Sequence, residues 1–278
     1  MPQHVPSRHK PKLGQNFLVS PTAPRAIVEA LGDLTHATVL EIGAGKGVLT
    51  ALLAARAQQV IAVELDDRLA AALPREWPGS PKRVEIICQD ILTVDLTRLA
   101  AEWGGRLQVV GNLPYYISSP ILMHLFAHGA VIERAVLMAQ REVAERIAAA
   151  PGTRAYGLLS ATTQMNATVE TLFTLPPEAF APRPEVYSSV FRLTMQSRFE
   201  ELGLERAGFL RFLRQIFALK RKTLANNLRA SGYDPAAVDR AFTQCDVDSQ
   251  VRAEALSLES MACLFRALAP ALLGESTT

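Results

Sequence analysis

Val39-Leu40-Glu41-Ile42-Gly43-Ala44-Gly45-Lys46-Gly47 reads as a strand that opens into a glycine-rich turn, and residues 48–57 continue with the apolar spacing of a helix. Glycines at such a junction let a ligand approach the backbone at the carboxyl edge of a parallel sheet. The spacing is GxGxG, and no GxxxxGK followed by Ser or Thr is present. A phosphate-cradling Walker loop is therefore excluded, and a dinucleotide site, which needs GxGxxG, is disfavoured.

Outward from this turn the rhythm repeats. Residues 60–64 read as the next strand, 65–73 as a helix, and 84–88 and 107–111 as strands. Ser119 places a capping hydroxyl before Pro120, and Gly129 offers a stop, which predicts a helix over 120–128. Further strands are expected at 134–139, 167–174 and 186–194. Alternation of this kind marks an α/β fold with a mostly parallel sheet. From residue 200 onward no strand-like run occurs; Phe209, Phe212, Leu213, Ile216 and Phe217 instead fall on one helical face. The boundary is placed at residue 197, with a sheet domain over 1–197 that includes a basic N-terminal arm, and three or four short helices over 198–278.

Composition excludes several classes. The 278 residues are 49% hydrophobic and 20% charged, as in a globular chain and unlike a disordered or collagen-like one. No uninterrupted apolar run exceeds about five residues, whereas a membrane helix needs ~20. The first twenty residues carry Arg8, Lys10 and Lys12 without an acid or an apolar segment, unlike a secretory signal, and the cytoplasm is the expected address. Cys88, Cys245 and Cys263 form no CxxC pair and read as buried thiols, with neither a disulfide nor a zinc cage expected. His124 and His128 are four apart on a predicted helix, yet no third metal ligand accompanies them, so they read as packing or solvent-facing groups. His4, His9 and His36 form no constellation. The net charge of +2 conceals a segment, 206–229, with seven basic residues and no acid. It is either a polyanion contact or a solvated helix face.

The strand ends carry the chemistry. Glu64 closes the second strand and Asp90 follows the third, which puts both carboxylates on the same sheet edge as the glycine turn. The first is suited to the two hydroxyls of a ribose and the second to an adenine amino group. The fourth strand ends in Asn112-Leu113-Pro114-Tyr115-Tyr116. Proline fixes this turn, so that the Leu113 carbonyl and the Asn112 amide oxygen can converge on the two hydrogens of an exocyclic amine while Tyr115 stacks on the base.

In this order, the glycine motif, Glu64, Asp90 and the Asn-Leu-Pro-Tyr string resemble an S-adenosylmethionine-dependent adenine-N6 methyltransferase. More closely, the chain is similar to the ribosomal RNA adenine dimethyltransferase family that modifies small-subunit RNA in bacteria. Further matches are Leu13-Gly14-Gln15-Asn16-Phe17-Leu18, Ala155-Tyr156-Gly157-Leu158-Leu159-Ser160, Phe180-Ala181-Pro182-Arg183-Pro184-Glu185-Val186-Tyr187-Ser188, and Arg221-Lys222-Thr223-Leu224 with Asn226-Asn227-Leu228. The resemblance implies a Rossmann-like methyltransferase sheet with a helical RNA-binding domain, S-adenosylmethionine as cofactor and no metal. It implies that Asn16 and Leu18 cover the cofactor, Gly43 and Gly45 line its amino-acid end, Glu64 holds the ribose and Asp90 the adenine. Asn112, Leu113 and Tyr115 then carry the target base, Asn112 also lies near the cofactor, and Phe180 forms a second wall of the base pocket.

Beside such a pocket, the 206–229 segment reads as an RNA contact, with Arg221, Lys222 and Lys12 as leading positions. The family usually has adjacent lysines in its basic arm, whereas Pro11 separates Lys10 from Lys12 here. The implied partner is 16S rRNA in the immature small ribosomal subunit, met by a monomer away from membranes. The alternatives are a large-subunit adenine-N6 methyltransferase that confers antibiotic resistance, an RNA-binding assembly factor, and a nicotinamide-dependent oxidoreductase.

Overall fold

The structure, a computed structural model, describes residues 15–74, 77 and 83–272. In chain order the elements are β1 (Phe17–Leu18), α1 (Ala23–Glu29), β2 (Thr38–Ile42), α2 (Val48–Arg56), β3 (Gln59–Glu64), α3 (Asp67–Ala72), β4 (Arg83–Cys88), α4 (Leu96–Glu102), β5 (Leu107–Asn112) and α5 (Ser118–Ala127). There follow β6 (Ile132–Gln140), α6 (Arg141–Ala148), α7 (Leu158–Asn166), β7 (Ala167–Leu175), β8 (Phe180–Ala181) and β9 (Ser188–Met195). The last four helices are α8 (Arg206–Ile216), α9 (Leu224–Ala230), α10 (Pro235–Gln244) and α11 (Leu258–Leu272).

Seven strands form one sheet in the order β4-β3-β2-β5-β6-β9-β7. The five from β4 to β6 are parallel, and β9 and β7 are antiparallel to their neighbours. Strands buried on both faces read as continuous apolar runs, which is why 39–42, 60–64 and 107–111 were legible. Along β2 all five residues are buried, Glu41 included. Side chains of alternate residues feed two cores. Leu40, Ile61, Val109 and Leu137 pack with α4 and α5 on one face, while Val39, Val60, Val110 and Val136 pack with α1 and α2 on the other.

The chain passes outward from β2 to β3 and β4, then returns to build β5 and β6 on the opposite side. The crevice between the carboxyl ends of β2 and β5 is thus the switch point where open α/β sheets bind ligands. Ile42 pairs with Gly111 across it. A Cβ on Gly111 would lie 2.8 Å from the Ile42 carbonyl oxygen, so only glycine permits this approach of the two strands immediately before Asn112.

α8 to α11 share a third core of Phe209, Phe212, Leu213, Ile216, Leu228 and Leu264. That core also includes Ala149, Tyr156, Ala161 and Met165, so the helical unit is seated on α7 and the segment before it, across the boundary read at residue 197.

Two expectations are corrected. α5 begins at Ser118, two residues before Pro120, because the Ile117 amide (3.1 Å) and the Ser118 hydroxyl (3.0 Å) both donate to the Pro114 carbonyl; the helix is entered from that turn without a Ser119 cap. Cys245 and Cys263 are not separate thiols. They form a disulfide, since packing of α10 against α11 brings their Cα atoms to 5.9 Å, and Cys88, at the end of the edge strand β4, is exposed.

Candidate active site

One open cavity, about 1110 Å³ counted out to its mouth, occupies the switch point. It gathers Asn16, Leu18, Gly43, Gly45, Glu64, Asp90, Asn112, Leu113 and Tyr115, residues drawn from β1, the β2–α2 turn and the carboxyl ends of β3, β4 and β5. Gly45 sits at φ +56°, and a Cβ there would meet the Phe17 ring at 3.3 Å. Phe17 is in turn covered by the Lys46 ammonium, 4.8 Å from its ring centre. The glycine turn and the entry strand therefore close on each other.

Glu64 is 4% exposed and does two jobs in the backbone. Its Oε2 accepts the Gly45 amide at 2.8 Å and its Oε1 the Asp66 amide at 2.9 Å, so the carboxylate that ends β3 also sets the height of the glycine turn. Asp90 uses Oδ1 to cap the Leu92 amide at 3.0 Å. Leu65, Ile91, Ile117 and Ile121 add apolar surface to the same cavity. Two carboxylates and apolar side chains in one cavity suit a ribose and a flat purine.

At the end of β5, the Asn112 side-chain amide donates through Nδ2 to the Asn16 carbonyl at 3.0 Å. One of its two amide hydrogens is thereby committed to the entry segment, while Oδ1 can act only as an acceptor. The Leu113 amide donates to the Met138 carbonyl at 2.8 Å, which fixes the Asn112–Leu113 peptide at the end of β5. The Tyr115 hydroxyl and the Ser188 hydroxyl are hydrogen bonded at 3.0 Å, which anchors the ring to the start of β9.

Glu41 is a lining residue that the sequence reading passed over. It is 1% exposed, and its Oε2 accepts the Thr50 hydroxyl at 2.6 Å. Burial, with a smaller contribution from nearby Glu64, pushes its pKa up to about 8, so the group is mostly protonated at neutral pH. The available signal was an acid inside an otherwise apolar strand.

Other expected positions lie elsewhere. Phe180 is 3% exposed, packs in the core beneath the sheet and pairs with Leu18 in the β1–β8 ladder; it supports the entry strand from outside the cavity lining. Arg221 and Lys222 are exposed in the turn before α9, and Lys12 lies outside the described residues. Within the basic segment Arg206 is committed to structure: it donates to the Phe126 carbonyl at 2.5 Å and lies over the Phe199 ring. Arg229 faces Asp239. His124 and His128 are hydrogen bonded to the carbonyls of Val94 and His124, and burial and then His128 lower the His124 pKa.

Residues 7–270 match the family model for ribosomal RNA adenine dimethylase. The chain belongs to that family. It is 58% identical over 264 residues, 95% of its own length and 93% of the relative's, to the ribosomal RNA small subunit methyltransferase A of Acidobacterium capsulatum. A dimethyladenosine transferase from Plasmodium falciparum shares the fold, with a TM-score of 0.77 at 23% identity over 89% of this chain and 95% of that one. The 23S rRNA methyltransferase ErmE superposes with a TM-score of 0.69 at 26% identity, over 91% and 100% of the two chains. The α/β fold expected from the sequence is thus that of this methyltransferase family. An RNA adenine dimethylase draws its methyl groups from S-adenosylmethionine. The donor set fits that cofactor: one cavity holds two carboxylates and apolar side chains suited to its adenosine, together with the glycine turn. Among the described residues no cluster of three metal-ligating side chains occurs, and no helix is long and apolar enough to cross a membrane.

Proposed function

We propose that this dimethylase modifies N6 of two adjacent adenines in a hairpin loop near the 3′ end of 16S rRNA, within the immature small ribosomal subunit, and that it works as a monomer in the cytoplasm. The reading is supported by the Asn112 amide: Nδ2 donates to the Asn16 carbonyl, and Asn112 and Leu113 both line the cavity, where Oδ1 and the Leu113 carbonyl would serve as a pair of acceptors. An exocyclic amine offers two hydrogens to such a pair. The 58% identity to a small-subunit enzyme, against 26% to a large-subunit one, supports the choice of RNA.

Glu64 takes the ribose hydroxyls and Asp90 the adenine amino group of the cofactor. Gly43 and Gly45 line its amino-acid end, and Asn16 and Leu18 cover it. When bound, its sulfonium supplies an electrophilic methyl group. The target adenine is turned out of its loop to lie on the Tyr115 ring, which its Ser188 anchor keeps in place. Acceptance of the N6 hydrogens by Asn112 and Leu113 withdraws the nitrogen lone pair from the ring and aims it outward. Positioning of this kind can supply ~7–11 kcal/mol of barrier reduction. Each transfer would form an N6–methyl bond as the methyl–sulfur bond breaks, after which the cationic amine sheds one proton; a monomethylated amine keeps one hydrogen for the same acceptors, which permits a second transfer, and a dimethylated one keeps none, which favours release. Residues 198–278 form the RNA-binding unit, with Arg221, Lys222 and, in the arm, Lys12 on phosphates.

Dimethylation blocks the pairing edge of adenine, so primer extension reads it directly. Incubation with undermethylated ribosomes should produce stops at two adjacent adenines of the small-subunit RNA. Stops in the large-subunit RNA instead would overturn the assignment.

A further inference from the structure

Tyr187 is 46% exposed, although it directly precedes Ser188, the fully buried residue that anchors Tyr115. β9 runs antiparallel to β6, so its start lies at the sheet's carboxyl edge, where Ser188 pairs with Gln140. One residue beyond each, the Arg141 amide donates to the Tyr187 carbonyl at 2.9 Å, and the Arg141 guanidinium lies 5.3 Å from the centre of the Tyr187 ring. The guanidinium also approaches Glu145 at 3.5 Å, an exposed pair of little energetic weight. Asn112 lies opposite Met138 and, one strand further, Val190, about 10 Å across the sheet, and Tyr187 is three residues before Val190, about 10 Å further towards the carboxyl edge. An exposed aromatic ring, backed by a cation and tied through the backbone to the residue that holds Tyr115, has no role in the transfer itself.

We propose that Tyr187, backed by Arg141, is the stacking platform for the nucleotide adjoining the target adenine. The inference rests on the RNA reading above and deepens it. Single-stranded loops are recognised by laying unstacked bases on aromatic rings and guanidinium planes. The platform keeps the second adenine unstacked and next to the pocket while the first occupies it. It acts on RNA affinity and leaves the cofactor site untouched.

The test is steady-state methyl transfer to undermethylated small subunits by wild type and by Tyr187→Phe, Tyr187→Trp, Tyr187→Leu, Tyr187→Ala and Arg141→Gln, with S-adenosylmethionine affinity measured for each. Phe and Trp should keep the wild-type KM for subunits. Leu and Ala should raise it roughly 10-fold, the loss of one base–ring stack, with kcat and cofactor affinity unchanged. Arg141→Gln should fall between. A Leu variant as good as Tyr would mean apolar packing against a protein surface and would overturn the proposal, as would equal KM values throughout the series. An inactive wild type that binds cofactor would instead defeat the substrate assignment on which the platform depends.

Discussion

Asn112 joins three tasks in one side chain. Its Nδ2 holds the entry segment through the Asn16 carbonyl, its side chain lines the cavity, and its backbone ends β5. Loss of a preorganised acceptor of this kind typically costs ~10²–10³ in rate. Asn112→Ala should therefore lower single-turnover methyl transfer by at least about 100-fold in a protein that still folds and binds S-adenosylmethionine; unchanged turnover would remove Asn112 from the reaction. Glu41 gives a second prediction, in pH. Burial raises its pKa from 4.5 to about 8, so between those values the folded chain retains a proton that the unfolded chain releases. Stability from this group is present in acid and is lost as pH rises towards about 8. Denaturant melts should show wild type losing stability relative to Glu41→Gln between pH 5 and pH 8.5, on the order of a few kcal/mol. A constant difference would show that the carboxyl titrates normally. Asn112 was legible because Asn-Leu-Pro-Tyr is a compact local motif. Glu41 was not, because an acid in a strand counts as a surface residue until the sheet is seen to cover both faces.

The elements show the same division between local and distant causes. Parallel strands buried on both sides announce themselves as apolar runs, and the stripe from Phe209 to Ile216 predicted the buried face of α8. α7, with Ser160, Thr162 and Thr163 buried, has no polar face for periodicity to detect, and the sequence reading assigned no helix there. The disulfide was illegible for a similar reason: Cys245 and Cys263 stand 18 residues apart and meet only because α10 packs on α11. Closing a loop of that length is worth about 3 kcal/mol in the chain-entropy account. Cys245→Ser, or reduction, should lower unfolding stability by up to that amount, and identical melts with and without reductant would contradict a formed cross-link. The turn before α9 has its own clamp. Asn227, 2% exposed, accepts the Leu219 amide at 2.8 Å and donates to the carbonyls of Leu219 and Thr223 at 3.3 Å. It thereby fixes the loop that displays Lys220, Arg221 and Lys222. Asn227→Ala should destabilise the helical unit by about 1–3 kcal/mol and weaken RNA binding without a change in cofactor affinity, as calorimetry with each ligand would reveal.

Over the whole molecule, the proposed reading divides RNA binding and chemistry between different parts. The sheet edge presents acceptors and aromatic rings, whereas the helical unit presents cations, some of which, such as Arg206, are used to hold that unit against the end of α5. If Arg221 and Lys222 meet phosphates, their joint replacement by Gln should weaken RNA binding at all sequences and reduce the slope of log affinity against log salt by about 1 per residue; an unchanged slope would place both cations away from the backbone. In the proposed mechanism, acceptance of the N6 hydrogens by Asn112 and Leu113 is what makes this sheet edge an adenine-N6 dimethylase acting on small-subunit RNA. Its most direct test is methyl transfer from labelled S-adenosylmethionine to undermethylated small ribosomal subunits, followed by nucleoside mass spectrometry, with Asn112→Ala in parallel. The account predicts dimethyladenosine from wild type and none above background from the variant. A folded, cofactor-binding wild type that yields no dimethyladenosine, or a variant that yields as much, would contradict it.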